Sequence, residues 1–185
     1  MNITTYAVIF VILGIVVWAV AAYNHLIRLK NFCQEAWSGI DVQLKRRANL
    51  IPNLLETVKG YMKHEKDVFQ KVTEARAKAL GASSMKERSG AESMLTASLR
   101  GLFAVAENYP ELKANQNFLN LQEQLSEIEN QIQMARRYYN GTVRNMNTAV
   151  EVFPNSIIAS MFGFKKQPFF EITDDADKTV PKVSF

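Results

Sequence analysis

The sequence predicts an all-α protein: an N-terminal transmembrane helix followed by an antiparallel four-helix bundle with long helices. Three observations predict it. From Ile3 to Tyr23 no side chain is charged. Beyond that run the chain reads as soluble, with only eight Gly and five Pro in the whole sequence, and its long central stretches favour helix over sheet. Within those stretches apolar residues recur every three or four positions, the period of an amphipathic helix. At 185 residues the chain has room for one ordinary domain and a short appendage. The expected division is an anchor over 1–23, a helical bundle over 24–155 and an irregular Phe-rich tail over 156–185.

The uncharged run is roughly 31 Å of helix, matching the hydrocarbon core of a bilayer. Trp18 and Tyr23 lie toward its C-terminal end, where amphipathic rings favour the headgroup level. Ala19-Val20-Ala21 resembles a signal-peptidase site, but no Lys or Arg precedes the run, which is also longer than a typical signal core. An anchor is therefore expected. Arg28, Lys30, Lys45, Arg46 and Arg47 all follow it, so the positive-inside rule puts the N-terminus outside and the bundle in the cytoplasm. Arg28 and Lys30, with Trp18 and Tyr23, form the expected membrane-interface set.

A first bundle helix is expected from about Asn24 to Leu50, its stripe being Leu26, Leu29, Cys33, Ala36, Ile40 and Leu44, with Arg46 and Arg47 complementing the dipole of its last turn. Pro52 disfavours helix at Ile51, and Asn53 with Glu56 forms a capping box, so a break is expected there. The second helix would run from Leu54 to Leu80. Gly81 to Gly90 reads as a loop, and Ser89-Gly90-Ala91-Glu92 as the capping box of a third helix that ends before Tyr109 and Pro110. The capping pattern recurs at Asn108 to Glu111. The fourth helix is the clearest: Phe118, Leu121, Leu125, Ile128, Ile132, Ala135, Tyr139, Val143, Met146, Val150 and Phe153 make a near-heptad stripe closed by Pro154. Stripes of this width need partners, hence the bundle, with a partly coiled-coil oligomer as the alternative.

Chemistry is hard to find. His64-Glu65 begins a zinc-protease helix, but Val68 stands where the second His belongs. His25 reads as an interfacial polar residue. Asp174, Asp175 and Asp177 lack the Gly and closing Glu of a calcium loop. Cys33 is the one cysteine, so no intramolecular disulfide is possible. Glu123, Glu127 and Glu129 fall on the polar side of the fourth helix and read as a solvated face. No nucleophile elbow or phosphate loop is present. No enzyme activity, cofactor or metal is expected, and the scattered basic residues, nearly balanced by acids at a net charge of +4, argue against nucleic acid.

Two features exceed an ordinary bundle. Arg136, Arg137, Tyr138 and Tyr139 join basic and aromatic groups on one helix, Tyr139 reading as core and the others as a candidate interaction surface. Phe162, Phe164, Phe169 and Phe170, with Lys165 and Lys166, could dock on the bundle, on a neighbouring subunit or on the bilayer. An up-and-down path returns Ile157, Ile158, Phe162 and Phe164 to the lipid only if Pro52 breaks the chain; a mere kink would leave the tail far from it.

The stretch Ala36-Trp37-Ser38-Gly39-Ile40-Asp41-Val42-Gln43-Leu44-Lys45-Arg46-Arg47, continued by Leu50-Ile51-Pro52-Asn53-Leu54, resembles the signature of the bacterial LemA family. So do Ala106-Glu107-Asn108-Tyr109-Pro110-Glu111-Leu112 and Ala135-Arg136-Arg137-Tyr138-Tyr139-Asn140. The resemblance runs from about Asn24 to the C-terminus. It implies a single-pass protein of the bacterial cytoplasmic membrane, N-terminus outside, with a four-helix bundle and no established catalytic residues. Some members are associated with membrane invagination around organelles, others with membrane-protease or envelope-stress systems. Two functions are therefore expected: a self-associating structural protein that organises or remodels the membrane, or an adaptor holding a membrane protease or signalling partner through its bundle surface. The expected partners are the lipid bilayer and further copies of the chain.

Overall fold

The computed structural model describes residues 2–171. Among these the elements are all helical: α1 (Ile3–Lys59), α2 (Lys66–Gly81), α3 (Met85–Ala106), α4 (Pro110–Lys113), α5 (Gln116–Glu151) and α6 (Asn155–Met161). The described residues form two compact units, 2–39 with 135–169, and 40–134 with 170–171.

Pro52 does not break the chain; it lies inside the 57-residue α1. A proline removes the hydrogen bond from its own nitrogen to the carbonyl four residues earlier, here that of Ala48. The carbonyl is not left empty, because the Arg76 Nε–H of α2 donates to it at 2.7 Å. The expected capping box is accordingly absent. The Asn53 carbonyl accepts from the Thr57 hydroxyl within the helix, and the Glu56 carboxylate pairs with Lys59 at 2.7 Å. The break falls instead after Lys59, where the Tyr61 and Met62 amides both return to the Val58 carbonyl.

The third helix also begins earlier than expected. The realised capping box is Ser84 with Glu87, not Ser89 with Glu92. The Glu87 amide donates to the Ser84 hydroxyl at 3.2 Å, while the Glu87 carboxylate accepts from the amides of Ser83 and Ser84. The Ser83 hydroxyl, which donates to the same carboxylate at 2.9 Å, and then these amides hold the Glu87 carboxyl below its ordinary range. Pro110 opens the short α4 from its first turn, where its missing N–H costs nothing, but the expected Asn108–Glu111 box does not form, the Tyr109 cap position making no side-chain bond. Instead the Tyr109 hydroxyl donates to the Glu65 carboxylate at 3.2 Å, and that neighbouring negative charge, after burial, pushes the phenol up. Asn115 caps α5, its side-chain oxygen accepting from the Phe118 amide at 3.0 Å.

Most positions of the helical stripes are buried or half-buried, though Tyr61, beyond the end of α1, is exposed. In the second unit Ile51, Leu54, Val58, Val72, Ala79, Leu95, Leu102 and Leu125 form one core. In the first, Ala22, Leu26, Ala149, Ile158 and Ala159 form another. The fourth stripe fails at its end, because Phe153 is 81% exposed. The tail is not irregular throughout either, since α6 occupies its start.

Candidate functional site

Two sites stand out, one in each unit. The first gathers around the end of the uncharged run. Trp18, Ala19 and Tyr23 of α1 pack against the cluster that includes Ile158 and Ala159 of α6. Gly163, with φ of 69°, takes the left-handed conformation that side-chain-bearing residues rarely adopt, and the chain turns there after α6. Phe162 and Phe164 flank that turn, and both rings meet Tyr23, with centroids 4.7 and 5.8 Å away. Spacings of this kind are those of attractive tilted and edge-on aromatic pairs. The tail thus returns to the uncharged run although Pro52 leaves α1 unbroken, contrary to the expectation that a mere kink would carry it away.

The face of this cluster turned away from the core is apolar and uncovered. Phe153, Ile157, Met161 and Phe162 are all exposed, Met161 at 72% and Phe162 at 58%. The uncharged run itself is exposed along its length from Ile3 to Val17, and α1 is long and apolar enough there to cross a membrane. Arg28 and Lys30 are exposed on the turns that follow.

In the same unit, Tyr139 is buried, as expected. Its hydroxyl donates to the Pro168 carbonyl at 2.9 Å and its ring stands 5.7 Å from Trp37. Burial pushes its phenol up to about 12, with Cys33 adding a smaller rise. Asn147 brackets Gln167, accepting from its amide at 2.7 Å and donating to its carbonyl at 3.0 Å. Arg137 and Tyr138 are exposed on α5 and Arg136 is half-buried. Of the remaining tail aromatics Phe169 is exposed and Phe170 is fully buried. Asp174, Asp175, Asp177 and Pro181 lie outside the described residues.

The second site was not foreseen. Arg47, expected to complement the dipole of a last turn near Leu50, lies well inside α1 and is 1% exposed. Its guanidinium meets Glu92 at 2.5 Å, Glu129 at 2.6 Å and the Thr96 hydroxyl at 3.0 Å. Arg88 bridges Glu92 at 3.1 Å and Asp41 at 3.0 Å, and Lys45 closes the chain on Asp41 at 2.6 Å. Glu129 is thus an ion-pair partner and not part of a solvated face. Removing such charges from water is costly unless each finds a partner, and here α1, α3 and α5 each supply one side of the network. A cleft of about 280 Å³ opens beside it, lined among others by Arg47, Thr96, Gln122, Ser126 and Glu129. The signal that points to this network is the spacing of Arg88 and Glu92, one helical turn apart on the buried stripe of α3.

The protein named LemA of Metamycoplasma hominis is 26% identical over 82% of this chain and 69% of its own length. Magnetosome protein MamQ 2 of Paramagnetospirillum magneticum is 23% identical, and magnetosome protein MamQ of Magnetospirillum gryphiswaldense 22%, each over 80% of this chain. The chain spans 64% of the length of these magnetosome relatives. None of the three names is that of an enzyme. The model of the LemA family matches residues 36–185, from the stretch that opens at Ala36 onward, and the chain belongs to the LemA family.

Proposed function

We propose that this chain is a non-enzymatic, single-pass protein of the bacterial cytoplasmic membrane that self-associates and organises or remodels that membrane. The run from Ile3 to Tyr23 is the span and the N-terminus lies outside. The segments of α1 beyond Tyr23, α2, α3 and α5 make an antiparallel four-helix bundle on the cytoplasmic side. The observation that carries this reading is the apolar surface of α6 and the residues flanking it, beside the end of the uncharged run, since Phe153, Ile157, Met161 and Phe162 gain by leaving water. Kinship with proteins named for the magnetosome supports a role in organising membrane.

The test is the mass and shape of the full-length protein in mild detergent, by light scattering and electron microscopy. A large ordered assembly that also deforms liposomes on reconstitution is the expected result. A monomer on undeformed vesicles defeats it. That outcome would favour an adaptor, for which the exposed Arg137 and Tyr138 of α5 are the surface to reverse.

A further inference from the structure

We propose that the pocket between α1 and the segment following α6 binds the phosphate of an anionic phospholipid headgroup. The proposal rests on the membrane-anchored reading above and adds a specific ligand to it.

The pocket holds about 300 Å³ and its lining includes Tyr23, Lys30, Phe162, Phe164, Lys165 and Gln167. Its depth follows from packing within one unit. Trp18, Ala19 and Ala22 belong to the uncharged run, and they share a cluster with Ile158 and Ala159 of α6. Whatever depth the end of the span has, α6 shares it. Ile157 and Met161 are one turn apart on the opposite face of α6 and exposed, the pattern of a helix lying in a bilayer interface.

Lys30 lies two turns beyond Tyr23, about 10 Å further along the helix axis, which is where the headgroup layer lies outside a hydrocarbon core. Lys165 follows Phe164, whose ring is held against Tyr23. Lys30 and Lys165 both line this pocket beside its aromatic rings, and among the described residues no carboxylate lines it. The adjacent Lys166 is engaged elsewhere, by Glu151. A cationic pocket with an apolar flank fits a phosphate that carries acyl chains better than a free one, because only the lipid also covers Phe162 and Met161.

The full chain, reconstituted with equal parts of phosphatidylcholine and phosphatidylglycerol and then extracted in mild detergent, is assayed by mass spectrometry for retained lipid. We expect phosphatidylglycerol to be enriched several-fold. The Lys30→Gln/Lys165→Gln variant should return to the bulk ratio, Lys30→Arg/Lys165→Arg should keep the enrichment, and Lys166→Gln should not change it. Equal retention of both lipids, enrichment that survives the double Gln variant, or full displacement by inorganic phosphate would each overturn the proposal. A Met161→Cys label in a Cys33→Ala background, read by quenching from brominated lipid, separates the two failures. Quenching without lipid preference defeats the headgroup site alone. No quenching defeats it together with the membrane contact of α6.

Discussion

Beside Tyr23 the core is built of aliphatic and aromatic side chains, whereas around Arg47 two guanidinium groups and their carboxylates sit among the helices. The first region turns further apolar side chains outward, from Phe153 to Phe162; the second draws charge inward. Apolar contacts are non-directional, so the first region can adapt to what it meets. Ion pairs at 2.5 to 3.1 Å accept one geometry, so the second fixes how α1, α3 and α5 meet. Replacing a buried pair with apolar groups is often harmless, while removing one member is not. The predictions exploit that asymmetry.

The largest effect is expected at the charged region. Glu92→Ala takes from Arg47 its buried carboxylate, leaving only the half-exposed Glu129, and from Arg88 one of its two partners, and should cost about 3 kcal/mol, read as a lower denaturant midpoint of the full chain in detergent. The double substitution Arg47→Met/Glu92→Leu should cost far less than the sum of the singles. An additive result would mean that the network is not a unit.

Next comes Arg76→Ala, which leaves the Ala48 carbonyl unpaired and should cost about 1–3 kcal/mol. With Pro52→Ala in the same chain the helix can satisfy Ala48 by itself, and most of that loss should be recovered.

The aromatic region is sharpened by pH. Tyr139 has a folded value raised from the ordinary 10 to about 12, so its contribution is complete below pH 10 and is lost as pH rises toward 12. Tyr139→Phe should lower stability by about 1 kcal/mol at neutral pH, through loss of the bond to Pro168, and flatten the alkaline decline. An unchanged alkaline slope would remove Tyr139 as its cause.

The smallest expected change is at Ser84. Ser84→Ala should cost about 1 kcal/mol. Because the Glu87 carboxyl is depressed, its share of the cap is present above the ordinary carboxylate range and lost as pH falls through its folded value. The loss on Glu87→Ala should therefore shrink in acid while that on Ser84→Ala stays nearly constant, measured by helix content against pH.

What could be read from the sequence follows the range of the forces involved. The uncharged run and the stripe of α5 are local patterns, and both are where periodicity puts them. Two S-x-x-E boxes compete at the start of α3, Ser84–Glu87 and Ser89–Glu92, and nothing local separates them. The choice is made by Arg47, since a Glu92 engaged with a buried guanidinium is not a cap. Likewise the rule that proline ends a helix holds when its freed carbonyl has no other donor. Here the donor comes from Arg76, on another helix. The aromatic meeting of Tyr23 with Phe162 and Phe164 joins residues far apart in the chain, so only the types of side chain were visible beforehand.

The gap that Pro52 makes in the hydrogen-bond ladder of α1 acts as a keyhole, and Arg76 is its key. An unbroken helix presents the same backbone to a neighbour at every turn, so two greasy helices can slip past each other by about 5.4 Å with little to oppose them. A single open carbonyl ends that equivalence. Were α2 to slide by one turn, the guanidinium would face carbonyls already occupied and Ala48 would be left with no donor, so the proline sets the axial alignment of the helix that packs beside it.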